Sequence, residues 1–385
     1  MKNNQLEKLS DYADYSKAKI SIAEIDTKCY FSTENMLPNK GGVTEAAGLP
    51  TQDNVTKVLP ENVLVSNIRP YFKKIYFANE LAGASNDVLC FVAKNGCLPR
   101  YLYYLLSSDS FFDYMMAGAK GTKMPRGDKG QIMNFPVWVP EQKEQSRIVS
   151  VLSALDEKIE NISKINHNLL KEALTLYAAH FASQDKNGCI GDYCSVRSGF
   201  AFKSSWWVDK GVKVIKIGSI SQDNLNLLEC SHVDEDKIEK ASDFKVGAGD
   251  LLIAMTGATI GKFTMVPHCS ETLLVNQRVG KFFLGNNPVE KLPFIYCTLK
   301  QPDIYNEIVN RGQGSAQPNI SAIDIMNIPC VIPSIDNLTT FNNTCQPLFD
   351  LIISNQRESQ QLSEIRDSLL PKLMSGEIDV SEVEV

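Results

Sequence analysis

The segment QIMNFPVWVP, ending at Pro140, reads again as DIMNIPCVIP, ending at Pro333, a displacement of 333 − 140 = 193. The same displacement lays Gly121-Thr122 on Gly314-Ser315, Pro125 on Pro318, and YLYYLLSSDSFF on FIYCTLKQPDIY. Upstream it shrinks: NVLVSNIRPYFKKI from Asn62 aligns with DLLIAMTGATIGKF from Asp250 at 250 − 62 = 188, and LSDY from Leu9 with IGDY from Ile190 at 190 − 9 = 181. The unit is far longer than the roughly 20 to 50 residues of a solenoid repeat, so it is a duplicated domain whose copies differ by loop insertions. Whatever this chain does, it is built to do something similar twice.

Within each copy, short runs such as Val63–Val65, Val88–Val92, Val212–Ile217 and Leu251–Ile253 alternate with Gly, Asn and Pro turns, which predicts a small mixed α/β domain. Each copy closes on a proline-bounded strand, Phe135–Pro140 or Ile328–Pro333, and then changes character. Ile148, Leu152, Leu155, Ile159, Ile162, Asn166, Leu169, Ala173, Leu176 and His180 step by threes and fours, a heptad seam. Moving 193 places gives Phe341, Cys345, Leu348, Ile352, Asn355, Ser359, Leu362, Arg366, Leu369 and Leu373. A helix from Gln142 to Ser183 would be on the order of 60 Å long and needs a partner along its length. Its own copy is the simplest one. The predicted fold is therefore α+β: a tandem repeat of two mixed α/β domains, each followed by a long helix, with the helices paired as an antiparallel coiled coil. Asn166 and Ser359 are expected mid-seam, where a polar residue fixes register, and Pro347 is expected to kink the second helix or delay its start. Val151, Leu170, Tyr177, Ile353, Ile365 and Leu370 widen the stripes, which leaves surface for another protein's helices. The expected boundaries are domain one 1–140, helix one 141–184, domain two 185–333, helix two 334–376 and an acidic tail 377–385.

With 385 residues, 43% hydrophobic and 22% charged, the composition is that of a globular protein in water. No run reaches the roughly 18 to 20 apolar residues of a membrane span, and MKNNQLEKLSDYADYSK has no signal-peptide core, so the expected address is the cytoplasm with no membrane partner. Ten scattered cysteines show no C-x-x-C pair or zinc spacing and read as reduced thiols. His167 and His180 lack metal partners at helical spacing, so no metal site is expected. The formal charge of −6 argues against a chain that grips DNA by bulk electrostatics alone.

These features together resemble type I restriction-modification specificity subunits. The resemblance rests on GSAQPNIS at 314–321, IPCVIP at 328–333, PEQKEQ at 140–145 and LSEIRDSLLPKLMSGEI at 362–378, and spans essentially the whole chain. The first copy departs from the pattern, with Met124 in GTKMP where the second copy has Gln317, and the stretch from Lys17 to Leu59 has no clear counterpart at a fixed displacement. The resemblance implies a non-catalytic subunit of a DNA methyltransferase and restriction endonuclease complex. Each domain would be a target-recognition domain reading one half of a bipartite double-stranded DNA site. The helices would set the spacing and dock two methyltransferase subunits, and through them restriction and motor subunits. No cofactor would sit in this chain; S-adenosylmethionine, ATP and Mg would belong to the partners.

Base reading needs side-chain donors and acceptors on loops. In the first copy Lys120, Thr122, Lys123, Arg126 and Lys129 lie on a loop opposed only by Asp128, and Arg69, Lys73 and Lys74 flank Tyr71 and Phe72. In the second, Thr256, Thr259 and Lys262 lie on the Gly257–Gly261 loop, with Gln277 and Arg278, and with Arg311, Gln313 and Gln317, elsewhere. Singly, each of these fits an ordinary solvated surface residue better than a DNA contact; only as clusters do the two readings balance. A methyltransferase is the first rival, but neither an Asn/Asp-Pro-Pro-Tyr/Phe run nor a glycine-rich methyl-donor loop is present. GATIGKF at 257–263 has one residue too few for a phosphate loop, and Phe263 stands where Ser or Thr must bind Mg. Glu235, Asp236 and Lys237 sit in a charged run that reads as solvated surface. The other rival is a non-DNA coiled-coil scaffold, which predicts that cutting back the basic loops costs no DNA specificity.

Overall fold

The computed structural model describes residues 6–313 and 318–383. The chain forms two compact units, Met1–Glu157 with Ser363–Val385, and Lys158–Leu362.

The first unit is built on an antiparallel sheet in the order Ala13–Tyr15, Val88–Ala93, Val63–Ser66, Ile75–Phe77. Val63–Ser66 is buried along its whole length, as the apolar run Val63–Val65 suits in a central strand. Helices Pro99–Leu106 and Asp109–Ala117 cover the sheet, the second started by Ser108, whose Oγ accepts from the Phe111 N–H. Tyr101, Phe111 and Phe112 join Phe91 and Val65 in one core. A second sheet runs Lys19–Ser21, Asn54–Val58, Ala82–Ala84, Tyr30–Phe31, the last pair parallel. Glu7–Lys8 pairs with Pro136–Val137 and ties the start of the domain to its end.

The second unit repeats this register for register. Its first sheet runs Ser195–Ser198, Val279–Phe283, Leu251–Ala254, Phe263–Met265. Tyr15 opposite Phe91 becomes Val196 opposite Phe282, and Val63 opposite Phe91 becomes Leu251 opposite Phe282. The strand displacements are thus 196 − 15 = 181 and 251 − 63 = 188, those read from the sequence. Gly188–Cys189 against Pro329–Cys330 repeats the terminal clasp at 181 and 193. The second sheet has five strands, Trp207–Val208, Ser231–Val233, Val212–Ile215, Leu273–Val275, Lys245–Val246, again with one parallel pair.

Both long helices form, Gln142–Phe181 and Ile335–Met374, and both ends are displaced by 193. Within the second unit they run antiparallel: Lys158 pairs with Glu358, Asn166 with Asn355, and Phe341 packs on Tyr177, His180 and Phe181. Within the first unit the order continues, with Asp156 on Arg366 and Leu152 in one cluster with Leu370 and Leu373.

The Asn355 amide donates to Asn166 Oδ1 at 2.8 Å. Two expectations are corrected. Pro347 does not delay the start of its helix, which runs from Ile335 to Met374. Cys345 and Phe349 on either side are fully buried and hold that stretch on the core, offsetting the backbone bond that proline cannot make. The widened stripe is covered only in part from within: Tyr177, Ile353 and Leu370 are buried in their own units' cores, while Ile365 stays 47% exposed. For the same reason burial on the second helix centres on Phe349, Ile353 and Leu370 beside Ile352, while Leu348, Leu362 and Leu369 are half-buried; on the first, Leu152 and Ile162 are buried and Leu155, Ile159 and Leu169 half-buried.

Candidate nucleic-acid interface

In each unit one hairpin of the first sheet ends in an arch, and the segment before the closing clasp returns to lie against it. In the first unit the arch joins Val63–Ser66 to Ile75–Phe77, and Arg69 N–H donates to Pro125 O at 2.8 Å while Ile68 bridges Arg126. In the second, Gly257 N–H donates to Pro318 O at 2.9 Å and Thr256 bridges Asn319. The Gly-Thr/Ser-x-x-Pro segments of the sequence thus deliver their proline carbonyls to the same point of the same arch.

In the first unit this closure gathers Arg69, Lys73, Lys74, Lys120, Thr122, Lys123, Arg126 and Lys129 about one arch, but the cluster is more neutralised than its sequence suggests. Lys120 pairs with Asp128 at 2.8 Å, and Arg126 with Asp87 at 3.3 Å, so Asp128 is not the only opposing acid. Asp128 is also the N-cap of a short helix, Lys129–Ile132, which places Lys129 on helix rather than loop. The Lys120 ammonium and then the amides of Gln131 and Gly130 hold the Asp128 carboxyl down at about 2. Lys73 pairs with Asp109 at 2.9 Å. Lys74 donates to Thr33 O, and burial lowers its pKa. Thr122 and Lys123 are exposed. Arg69 has no ion pair among the described residues, and its Nε is buried without a hydrogen-bond partner. Tyr71 and Phe72 stand at the top of the arch, 48% and 37% exposed.

In the second unit Thr256, Thr259 and Lys262 lie on the arch, where Thr259 Oγ1 donates to Thr256 O and Thr256 Oγ1 is buried without a partner. Gln277 and Arg278 are exposed and adjoin it, since Arg278 O accepts from Met255 N–H. Gln313 is exposed at a helix end, whereas Arg311 is held by Glu307 and the Asp324 carbonyl and braces two helices. Gln317, with the GSA before it, lies outside the described residues.

One feature escaped sequence reasoning. Trp206 stacks on Phe200 with Lys203, Lys237 and Lys240 about it, and Lys216 sits 3.5 Å over the Trp207 ring. This cluster adjoins the arch's neighbours, because Phe200 O accepts from the Gln277 N–H. The signal was the FAFKSSWW run at 200–207, aromatic residues interleaved with lysine. Taken together, these surfaces offer donors, acceptors and aromatic faces and suit binding. Among the described residues no group of His, Cys, Asp or Glu could hold a metal ion, and no helix is long and apolar enough to cross a membrane.

A family model described as the type I restriction modification DNA specificity domain matches residues 6–171 and again 184–363. The MjaIX type I restriction enzyme specificity subunit of Methanocaldococcus jannaschii is 26% identical over 360 residues, covering 85% of this chain and 80% of that one. The HindI specificity subunit of Haemophilus influenzae is 22% identical, covering 96% of this chain and 100% of that one. The solved structure of a type I restriction-modification S subunit from M. genitalium superposes over 97% of both chains at a TM-score of 0.54 and 17% identity, a likeness of fold. Two matches of the specificity model along a chain whose two units share one register are what a duplicated reader should give. The chain belongs to the family of type I restriction-modification specificity subunits and carries two target-recognition domains.

Proposed function

We propose that each domain reads one half of a split site in double-stranded DNA, and that the paired helices set the separation of the halves and dock two methyltransferase subunits. Restriction and motor subunits join through those. The chain itself is non-catalytic and works in the cytoplasm; S-adenosylmethionine, ATP and Mg belong to its partners. The observation that carries this reading is the doubled arch. The same backbone bond closes it at 2.8 Å and 2.9 Å on sheets of matching register, yet different side chains furnish it. A frame held constant while its exposed loops differ suits one task performed on two different half-sites.

The net charge of −6 and the internal pairing of Lys73, Lys120 and Arg126 favour weak DNA binding by the isolated chain, with much of the salt-dependent grip supplied by the methyltransferases. A nanomolar, site-specific complex formed by this chain alone at physiological salt would contradict that division of labour. The central test is long-read methylation mapping of cells carrying the candidate methyltransferase with and without this chain. A split motif seen only with the chain supports the reading. No new motif, despite a stable complex and an active methyltransferase, favours a coiled-coil scaffold instead.

A further inference from the structure

The two arches share a backbone but not the residues that bear it. At a displacement of 188, Arg69 corresponds to Gly257 and Lys73 to Gly261, and all four are left-handed, with φ of 50° and 49° in the first arch and 71° and 82° in the second. The intervening residues form the same short 3-10 turn, Pro70–Phe72 and Gly257–Thr259 being one residue out of step. Glycine occupies this region without a Cβ clash, whereas Arg and Lys are strained there. The first arch carries strain that the second shows to be dispensable to the fold.

For Lys73 the structure supplies a structural reason, because its ammonium and that of Lys40 share Asp109 at 2.9 Å and 3.5 Å. Arg69 has none: no ion pair among the described residues, and a buried Nε with no partner. A second strained turn braces the arch, Asn39 and Lys40 at φ of 55° and 60°, whose N–H groups donate to Phe72 O and Lys73 O at 2.8 Å and 2.9 Å. That turn lies between Lys17 and Leu59, where the sequence shows no clear counterpart in the second copy at a fixed displacement. Strained non-glycine backbone held from several sides is a mark of functional positions.

We infer that Arg69 is the base-reading residue of the first domain, presented by the braced arch to the edge of a guanine in the first half-site. Its fork of donors matches guanine O6 and N7, the commonest specific major-groove contact. The inference rests on the split-site reading above. Substituting Arg69→Gly imports the second arch's own residue, so the thermal midpoint should be no lower than wild type. The complex with its methyltransferase should lose discrimination at one guanine position of the first half-site by at least about fivefold, with the second half-site unchanged. Arg69→Lys, which keeps the charge and loses the fork, should relax the same position.

Four results would overturn the inference: an unchanged motif; a uniform drop in methylation with the motif intact, the mark of a phosphate contact; a lowered midpoint with both half-sites affected; or a first half-site without guanine. If the wild-type complex yields no split motif at all, the split-site reading fails instead.

Discussion

Removing the Asp156 carboxylate tests whether a buried polar lock fixes the helix register in the first unit. Asp156 Oδ1 accepts from Arg366 Nη1 at 3.0 Å, and Oδ2 accepts from the Tyr104 hydroxyl at 2.7 Å. The side chains of Asp156 and Arg366 are only 20% and 23% exposed, and Tyr104 is 2% exposed. In Asp156→Ala the hydroxyl of Tyr104 loses its acceptor, while Arg366 keeps Asp367 at 2.9 Å. Hydrogen bonds to charged groups contribute roughly 1.5 to 3 kcal/mol, and an orphaned buried hydroxyl costs about 1 to 3 kcal/mol. The two losses overlap, so we expect about 3 kcal/mol in total. For a unit of this size that corresponds to a fall in Tm of roughly 6 to 12 °C. Asp156→Asn keeps one acceptor for Arg366 and lets the Tyr104 oxygen accept instead, so about 1 kcal/mol should be lost. Differential scanning calorimetry reads both. As a control, Lys164→Ala breaks an exposed pair with Glu160, 65% exposed on each side, and should move the transition by no more than about a degree. An Asp156→Ala transition as little moved as that of the control, or an Asn variant as damaged as the Ala variant, would refute the lock.

Other outcomes follow from the same structure. Burial pushes the thiols of Cys90, Cys97, Cys194 and Cys330 up to about 12, so at pH 8 a disulfide reagent should quickly modify only the partly exposed Cys29, Cys189 and Cys269, the other seven reacting on unfolding. Asp128 should titrate near 2 by carbon-detected NMR and move back toward 3.8 in Lys120→Ala. Because its folded pKa is depressed, its contribution is present above the ordinary carboxylate value and is lost as pH falls from about 3.8 toward 2. Lengthening the first long helix by four residues adds about 6 Å of rod. Methylation mapping should then show an altered spacer with both half-sites unchanged, and altered half-site sequences would count against the helices as ruler.

The duplication was legible because its landmarks are residues with fixed structural work. The clasp strands, the arch and the proline that closes it cannot move without loss of register, so displacements of 181, 188 and 193 survive in the sequence and in the strand pairing alike. The partner of Asn166 was not legible, because one helix's periodicity gives its buried face and not the stagger of an antiparallel mate. Nor could the sequence show that Asp87 neutralises Arg126, since they lie 39 residues apart and meet only through the arch. The aromatic run at 200–207 was visible, but Lys216 and Lys240 join it only once the second sheet has folded. Even the apparently unmatched stretch from Lys17 to Leu59 hides a correspondence. Tyr30 opposite Gly83 recurs as Val214 opposite Leu274, and Lys57 opposite Gly83 as Lys245 opposite Leu274.

That last correspondence shows how the chain can vary one half without disturbing the other. In the first unit the added strand Lys19–Ser21 extends the second sheet beyond Asn54–Val58. In the second unit Ser231–Val233 and Trp207–Val208 extend it at the opposite edge, beyond Val212–Ile215. An edge strand has one unpaired flank, so an insertion can pair there while the interior ladder keeps its register. The first sheet offers no such freedom, since its central strands are buried on both faces and anchor the cores that receive the long helices. Divergence is therefore channelled into the second sheet's edges and the arches, where Arg69 and Lys73 in one copy correspond to Gly257 and Gly261 in the other. A reader assembled this way can change what one domain recognises while the helix pair, displaced by 193 at both ends, keeps its length.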